Sequence, residues 1–126
     1  MAEDDEIWAL EERFWTEGAE SARSMTAKGA VFVLPYPPGI LQGDSVWRES
    51  LAAQRWRSVL FSERYFKREK SVVVLAYRVS AERAGTPIYE ALCTSTYLLD
   101  DGKWLRVVHQ QTPLSQIPED PHRTRL

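Results

Sequence analysis

The chain predicts an α+β fold: a strongly curved, largely antiparallel sheet wrapped around N-terminal helices. Three observations lead there. Apolar residues recur at helical spacing near the N-terminus, the pattern changes to alternation after about residue 57, and the links between the alternating segments are short and built of turn residues. Helices first and long strands afterwards segregate the helices onto one face of the sheet.

Residues 4–17 read as an amphipathic helix, because Ile7, Leu10 and Phe14 share a face, with Trp8 and Trp15 flanking it. Asp4, Asp5 and Glu6 crowd its first turn, where acids favour the positive end of the helix dipole, and Gly18 ends it. A shorter helix is expected over about 19–27, closing at Gly29. Ala30 to Leu34 is an apolar run between Gly29 and Pro35 and reads as a buried strand. Tyr36-Pro37-Pro38-Gly39 then makes a turn, since two prolines fix φ and remove two donors. Ile40-Leu41-Gln42 pairs back, and Asp44 caps a third helix reaching about Gln54, with Val46, Trp47, Ser50 and Leu51 on a common side. Long strands are expected at 57–69, 71–82, 87–99 and 103–112, joined by turns such as Ala84-Gly85-Thr86-Pro87 and Asp100-Asp101-Gly102. Short links favour an antiparallel meander. Residues 115–126, with Pro118 and Pro121, read as a surface tail.

At 126 residues the chain suits a single domain, 1–126, with its core over about 5–114. Sixteen basic and eighteen acidic residues argue against a nucleic-acid binder, which carries a cationic excess. The acids concentrate at the start, eight of them among residues 1–20 against the single base Arg13. Cys93, the lone cysteine, makes neither an internal disulfide nor a thiolate metal site, and the N-terminus is acidic where a signal peptide is basic then apolar. The expected compartment is the cytoplasm, with no membrane contact. No GxGxxG or P-loop pattern occurs and histidine is sparse, so no cofactor and no metal are expected.

The order helix, helix, short hairpin, helix and four long strands resembles the nuclear transport factor 2-like superfamily, and within it the small bacterial proteins of SnoaL-like and ketosteroid-isomerase-like fold. The most specific piece is Tyr89-Glu90-Ala91-Leu92-Cys93-Thr94-Ser95-Thr96-Tyr97 followed by the run from Gly102-Lys103-Trp104 through His109-Gln110-Gln111 to Thr112-Pro113-Leu114. The resemblance implies a cystatin-like α+β roll, a cone closed at one end, and dimerisation through the outer sheet face. It leaves function open, because this fold hosts isomerases, hydrolases, cyclases and association modules.

Strict alternation divides the last strand into Leu105, Val107, His109 and Gln111 on one face and Trp104, Arg106, Val108 and Gln110 on the other. The first set, uncharged apart from histidine, is expected on the concave side. Tyr89, Ala91, Cys93 and Ser95 form a wall of mostly small side chains beside it, with Tyr77 on the next strand; Trp15, Tyr36, Trp47 and Trp56 are expected at the rim. The candidate ligand-binding residues are therefore Trp15, Tyr36, Trp47, Trp56, Tyr77, Cys93, Ser95, His109 and Gln111.

His109, whose ordinary pKa near 6.5 suits proton exchange, and Tyr77, a phenol able to donate to a carbonyl, are the candidate catalytic pair. The alternative for each is a core residue with a satisfied polar group. Isomerases of the superfamily pair a tyrosine with interior acids, and its epoxide hydrolases use an Asp-Arg-Asp arrangement. This chain has no aspartate between Asp44 and Asp100, Glu90 falls opposite the cavity set, and Glu63 serves only if it points inward with Phe61. The leading expectation is a cavity for a small apolar or aromatic molecule. The alternatives are proton transfer or cyclisation on a carbonyl compound with His109 as acid/base, and a dimeric association module whose cavity is filled.

Overall fold

The computed structural model describes residues 2–37, 39–49 and 56–116. Helix α1 spans Ala2–Thr16 and α2 spans Ala19–Ser24; strands β1 (Thr26–Val33) and β2 (Ile40–Gln42) and helix α3 (Ser45–Glu49) follow. The long strands are β3 (Ser58–Glu69), β4 (Val72–Glu82), β5 (Tyr89–Asp100) and β6 (Lys103–Pro113), and Leu114–Gln116 form a 3-10 turn. One six-stranded sheet has the order β2-β1-β6-β5-β4-β3. All neighbours are antiparallel except β1 and β6, which run parallel. The sheet is curved and unclosed, and α1 lies in its concavity. No described helix is long and apolar enough to cross a membrane.

The second helix is shorter than its sequence pattern suggests, and the first strand begins four residues earlier than Ala30. Sheet pairing decides the boundary: Arg106 N–H donates to Met25 C=O at 2.9 Å, and Thr26 aligns with Arg106. Chain that was expected to be helical is thus recruited as the parallel neighbour of β6. The later part of the third predicted helix, with Ser50 and Leu51, lies outside the described residues, as does most of the predicted tail.

Alternation holds along β4 and β5, where Val73, Leu75, Tyr77, Val79, Ala91, Cys93, Ser95 and Tyr97 face α1 and are buried. It fails in β6. Tyr97 aligns with Arg106 but Thr96 aligns with Val108, so Val107 is an extra residue opposite nothing. This β-bulge shifts the phase by one, and Arg106 and His109 both point inward. The expectation that they lie on opposite faces is therefore corrected, as is the outward placement of Trp104, which is buried. A second bulge interrupts β3 between Ser62 and Tyr65, where Glu63 takes φ 51°. Glu63 does not point inward; it is exposed and pairs with Arg78 at 3.5 Å on the convex face.

Candidate functional site

The helix face that packs on the sheet carries Ile7, Glu11, Phe14 and Trp15, so α1 brings a carboxylate into the core together with its apolar residues. Glu11 is completely buried. Its Oε1 accepts from Tyr97 Oη at 2.6 Å and from Arg106 Nη2 at 3.1 Å, and its Oε2 accepts from Ser95 Oγ at 2.5 Å and from the Tyr77 hydroxyl. Burial by itself would raise the carboxyl, but the adjacent Arg106 charge, then His109 and the hydroxyl donors, outweigh it and bring the pKa down to about 2. Glu11 is ionised at neutral pH.

Arg106 is equally buried. Its Nη1 donates to Thr26 Oγ1 at 3.1 Å, and its guanidinium lies 4.0 Å from the Phe14 ring centroid. Its Nε has no hydrogen-bond acceptor among the described residues, and the guanidinium as a whole lies against the Phe14 and Tyr97 rings. Trp15 Nε1 donates to Tyr77 Oη at 3.0 Å and closes the cluster toward α1. Burial and the Glu11 charge hold the Tyr77 phenol well above its ordinary value, so it stays protonated.

His109 sits at the edge of this cluster, wholly buried among the rings of Phe14, Trp15 and Phe32. Its Nδ1 is 2.7 Å from Ser95 Oγ and its Nε2 is 3.0 Å from Gln111 Nε2. Burial, with Arg106 nearby, lowers its pKa to about 4 even though Glu11 pulls the other way, so the ring is neutral at pH 7.

Beyond Gln111 the concavity opens into a cavity of about 240 Å³. Phe14, Trp15 and Ala22 form its inner wall, Tyr36 and Trp56 its sides, and Tyr89, Gln111 and Arg83 its polar points. Tyr89 Oη donates to Gln111 Oε1 at 2.9 Å. Trp56 stacks on Tyr89, with ring centroids 5.5 Å apart and planes inclined by 15°, and Arg83 covers Trp56 at 4.7 Å.

Of the residues singled out from the sequence, Trp15, Tyr36, Trp56 and Gln111 line this cavity. Tyr77, Ser95 and His109 do not; they belong to the buried cluster behind it, where Phe14, Trp15 and Gln111 separate His109 from the cavity. Trp47 is half-buried and packs against Phe32 of the core, and Cys93 is a buried free thiol whose pKa burial pushes up. Sequence reasoning missed Glu11, Arg106 and Tyr97 in the cluster; it placed Tyr89 on the cavity wall, where the structure has it, without counting it among the ligand-binding residues. Glu11 had a readable signal: it stands four residues after Ile7 and three before Phe14, within the apolar stripe of α1. Among the described residues, no three His, Cys, Asp or Glu are grouped to hold a metal.

No family model matches the chain, and no curated protein matches it. Solved structures do. A candidate ketosteroid isomerase of Parabacteroides distasonis superposes with a TM-score of 0.76 at 10% identity, covering 87% of this chain and 86% of that one. A nuclear transport factor 2-like protein of Cytophaga hutchinsonii gives 0.69 at 18% identity over 90% and 100%. The CaMKII hub homology domain of Chlamydomonas reinhardtii gives 0.69 at 17% identity over 90% and 99%. The chain has the nuclear transport factor 2-like fold. At these identities the nuclear transport factor 2-like architecture carries across and an activity does not.

Proposed function

We propose that this domain binds a small, mostly apolar ring compound in the cavity between α1, Trp56 and the ends of β5 and β6. The observation that carries the reading is a half-open hollow of about 240 Å³ with aromatic walls and a few convergent polar groups, Tyr89, Gln111 and Arg83. An apolar cavity of about 150 Å³ suffices for benzene, so a substituted ring has room. Apolar walls desolvate the ligand, and Gln111 and Tyr89 orient it. The buried, neutral state of His109 supports a binding role over acid/base catalysis, since the imidazole neither touches the cavity nor titrates near neutrality. A cytoplasmic setting fits the buried free thiol of Cys93.

The test is mass-spectrometric identification of a compound released from the purified protein, repeated with Ala19→Trp, which plugs the mouth beside Gly18. A compound present in the wild type and lost from the variant supports the reading. An empty wild-type protein that also shows no thermal shift with any aromatic probe refutes it.

Homodimerisation through the convex sheet face is the second reading. Leu60, Tyr65, Leu92 and Leu98 are exposed there on one side of β3 and β5. Sedimentation at micromolar concentration checks it: a dimer that Leu92→Lys with Leu60→Glu converts to a monomer is expected, and a monomeric wild type refutes it.

A further inference from the structure

We propose that Glu11, which never reaches the cavity, dictates through Ser95 and His109 which hydrogen-bonding group Gln111 turns toward the ligand, and that this group is a donor. The inference rests on the cavity being a binding site. It makes Glu11 a positioning residue and restricts the ligand to compounds with a hydrogen-bond acceptor at the Gln111 end.

The argument follows the protons. An ionised carboxylate only accepts, so the 2.5 Å contact between Ser95 Oγ and Glu11 uses the single hydrogen of the serine. Ser95 Oγ then has only lone pairs for His109 Nδ1, 2.7 Å away, and the N–H of the ring must sit on Nδ1. A neutral imidazole has one N–H, so Nε2 is left as a lone pair. Gln111 Nε2 lies 3.0 Å from that lone pair and must donate to it, which turns Gln111 Oε1 toward the Tyr89 hydroxyl, its donor at 2.9 Å. Every link has one polarity, set by the charge at the far end. A flipped Gln111 amide would oppose its carbonyl to the Nε2 lone pair, whereas the Tyr89 hydroxyl, able to donate or accept, adapts to either orientation.

The Gln111 amide has two hydrogens and spends one on His109. The other remains for the cavity that Gln111 and Tyr89 line. A ring bearing a carbonyl or similar acceptor meets a donor held in place on both sides, whereas a ring bearing only N–H donors gains nothing from that N–H and turns to the remaining lone pairs of Tyr89 Oη and Gln111 Oε1.

Two measurements test this. Long-range ¹H–¹⁵N correlation spectra at pH 7 report the His109 tautomer, expected as Nδ1–H with an unprotonated Nε2. Binding of acetophenone and aniline, two rings of similar size, is then compared in the wild type and in His109→Leu, which removes the lone pair that holds the Gln111 amide while leaving Ser95, Tyr77, Tyr97 and Arg106 on Glu11. Acetophenone is expected to bind the wild type more tightly by on the order of fivefold, and His109→Leu to bring the ratio toward one. An Nε2–H tautomer, or equal binding of the two probes by the wild type, overturns the inference. Failure of both probes to bind, with the Nδ1–H tautomer present, instead overturns the cavity reading and the ligand selectivity that rests on it. If His109→Leu does not fold, the wild-type tautomer and probe ratio decide alone.

Discussion

Glu11 of α1 and Arg106 of β6 meet at 3.1 Å with both side chains wholly shielded from water. The pair joins the helix to the strand that bridges both halves of the sheet. Removing one partner leaves a buried charge without compensation, which costs about 3–5 kcal/mol, whereas replacing both by apolar side chains of similar volume is often close to neutral. Glu11→Ala or Arg106→Ala is therefore expected to lower stability by that amount in urea titrations. The pair Glu11→Leu with Arg106→Met is expected to recover a large part of the loss. Recovery is incomplete because Tyr77, Tyr97 and Ser95 also lose their acceptor.

Acid should unfold the domain in two stages. His109 is held at about 4 in the folded state against an ordinary 6.5, so the unfolded chain binds more protons between those values and stability falls as the pH drops from 6.5 toward 4. Glu11 is held at about 2 against 4.5, so its contribution is complete above 4.5 and is lost as the pH falls toward 2. Each stage is worth on the order of 3 kcal/mol, and the two are coupled because the groups share a hydrogen-bonded cluster. In His109→Gln, which keeps an amide between Ser95 and Gln111, the loss between pH 6.5 and 4 should disappear and the lower stage should remain. Chemical denaturation at a series of pH values measures both; an unchanged upper stage would assign it to another group.

The bulge at Val107 predicts an asymmetry between deletion and substitution. Deleting Val107 restores strict alternation and turns either Arg106 or the pair His109 and Gln111 out of the concavity. Val107→Ala leaves the phase alone and is expected to cost under about 1 kcal/mol, while the deletion should abolish the cooperative urea transition.

That bulge also marks where the sequence stopped being legible. The helical spacing of Ile7 and Phe14, the alternation through Val73, Leu75 and Tyr77, and the Asp101-Gly102 turn are local signals, and the elements they announce are present. Placing His109 and Gln111 on the concave side also follows from alternation beyond the bulge. Arg106 does not, because an inserted residue leaves no mark in an apolar-polar pattern as mixed as Trp104 to Gln111. Glu11 was hidden differently. It stands among eight acids in the first twenty residues, and only its position within the apolar stripe separates it from the solvated ones. A buried ion pair needs both halves to be recognised, and each half looked like surface charge on its own.

Tyr77 gives a sharper test of the cluster than the charges do. Its hydroxyl donates to Glu11 and accepts from Trp15 Nε1, so Tyr77→Phe removes two bonds while keeping the ring packed on Phe61 and Trp8. The expected loss is about 1–3 kcal/mol, the cost of leaving a buried indole N–H without its acceptor and Glu11 with one donor fewer. Trp15 lines the cavity as well, so a loosened indole should also weaken ligand binding. A stability change with unaltered affinity would separate the cluster from the cavity.

Occupancy of the cavity should be visible in tryptophan fluorescence. Trp15 and Trp56 line it, whereas Trp8, Trp47 and Trp104 do not. Trp56 is stacked on Tyr89 and covered by Arg83, so a ring entering beside it changes both its polarity and its quenching. Titration with acetophenone is expected to alter the emission of the wild type and to leave Trp56→Phe with a smaller change, the remainder coming from Trp15. The same titration should stabilise the protein by about 2.7 kcal/mol at a hundredfold excess over Kd. A thermal shift without any change in the Trp56 signal would mean that the probe binds elsewhere, with the groove on the convex face around Tyr65 and Leu92 as the next place to look.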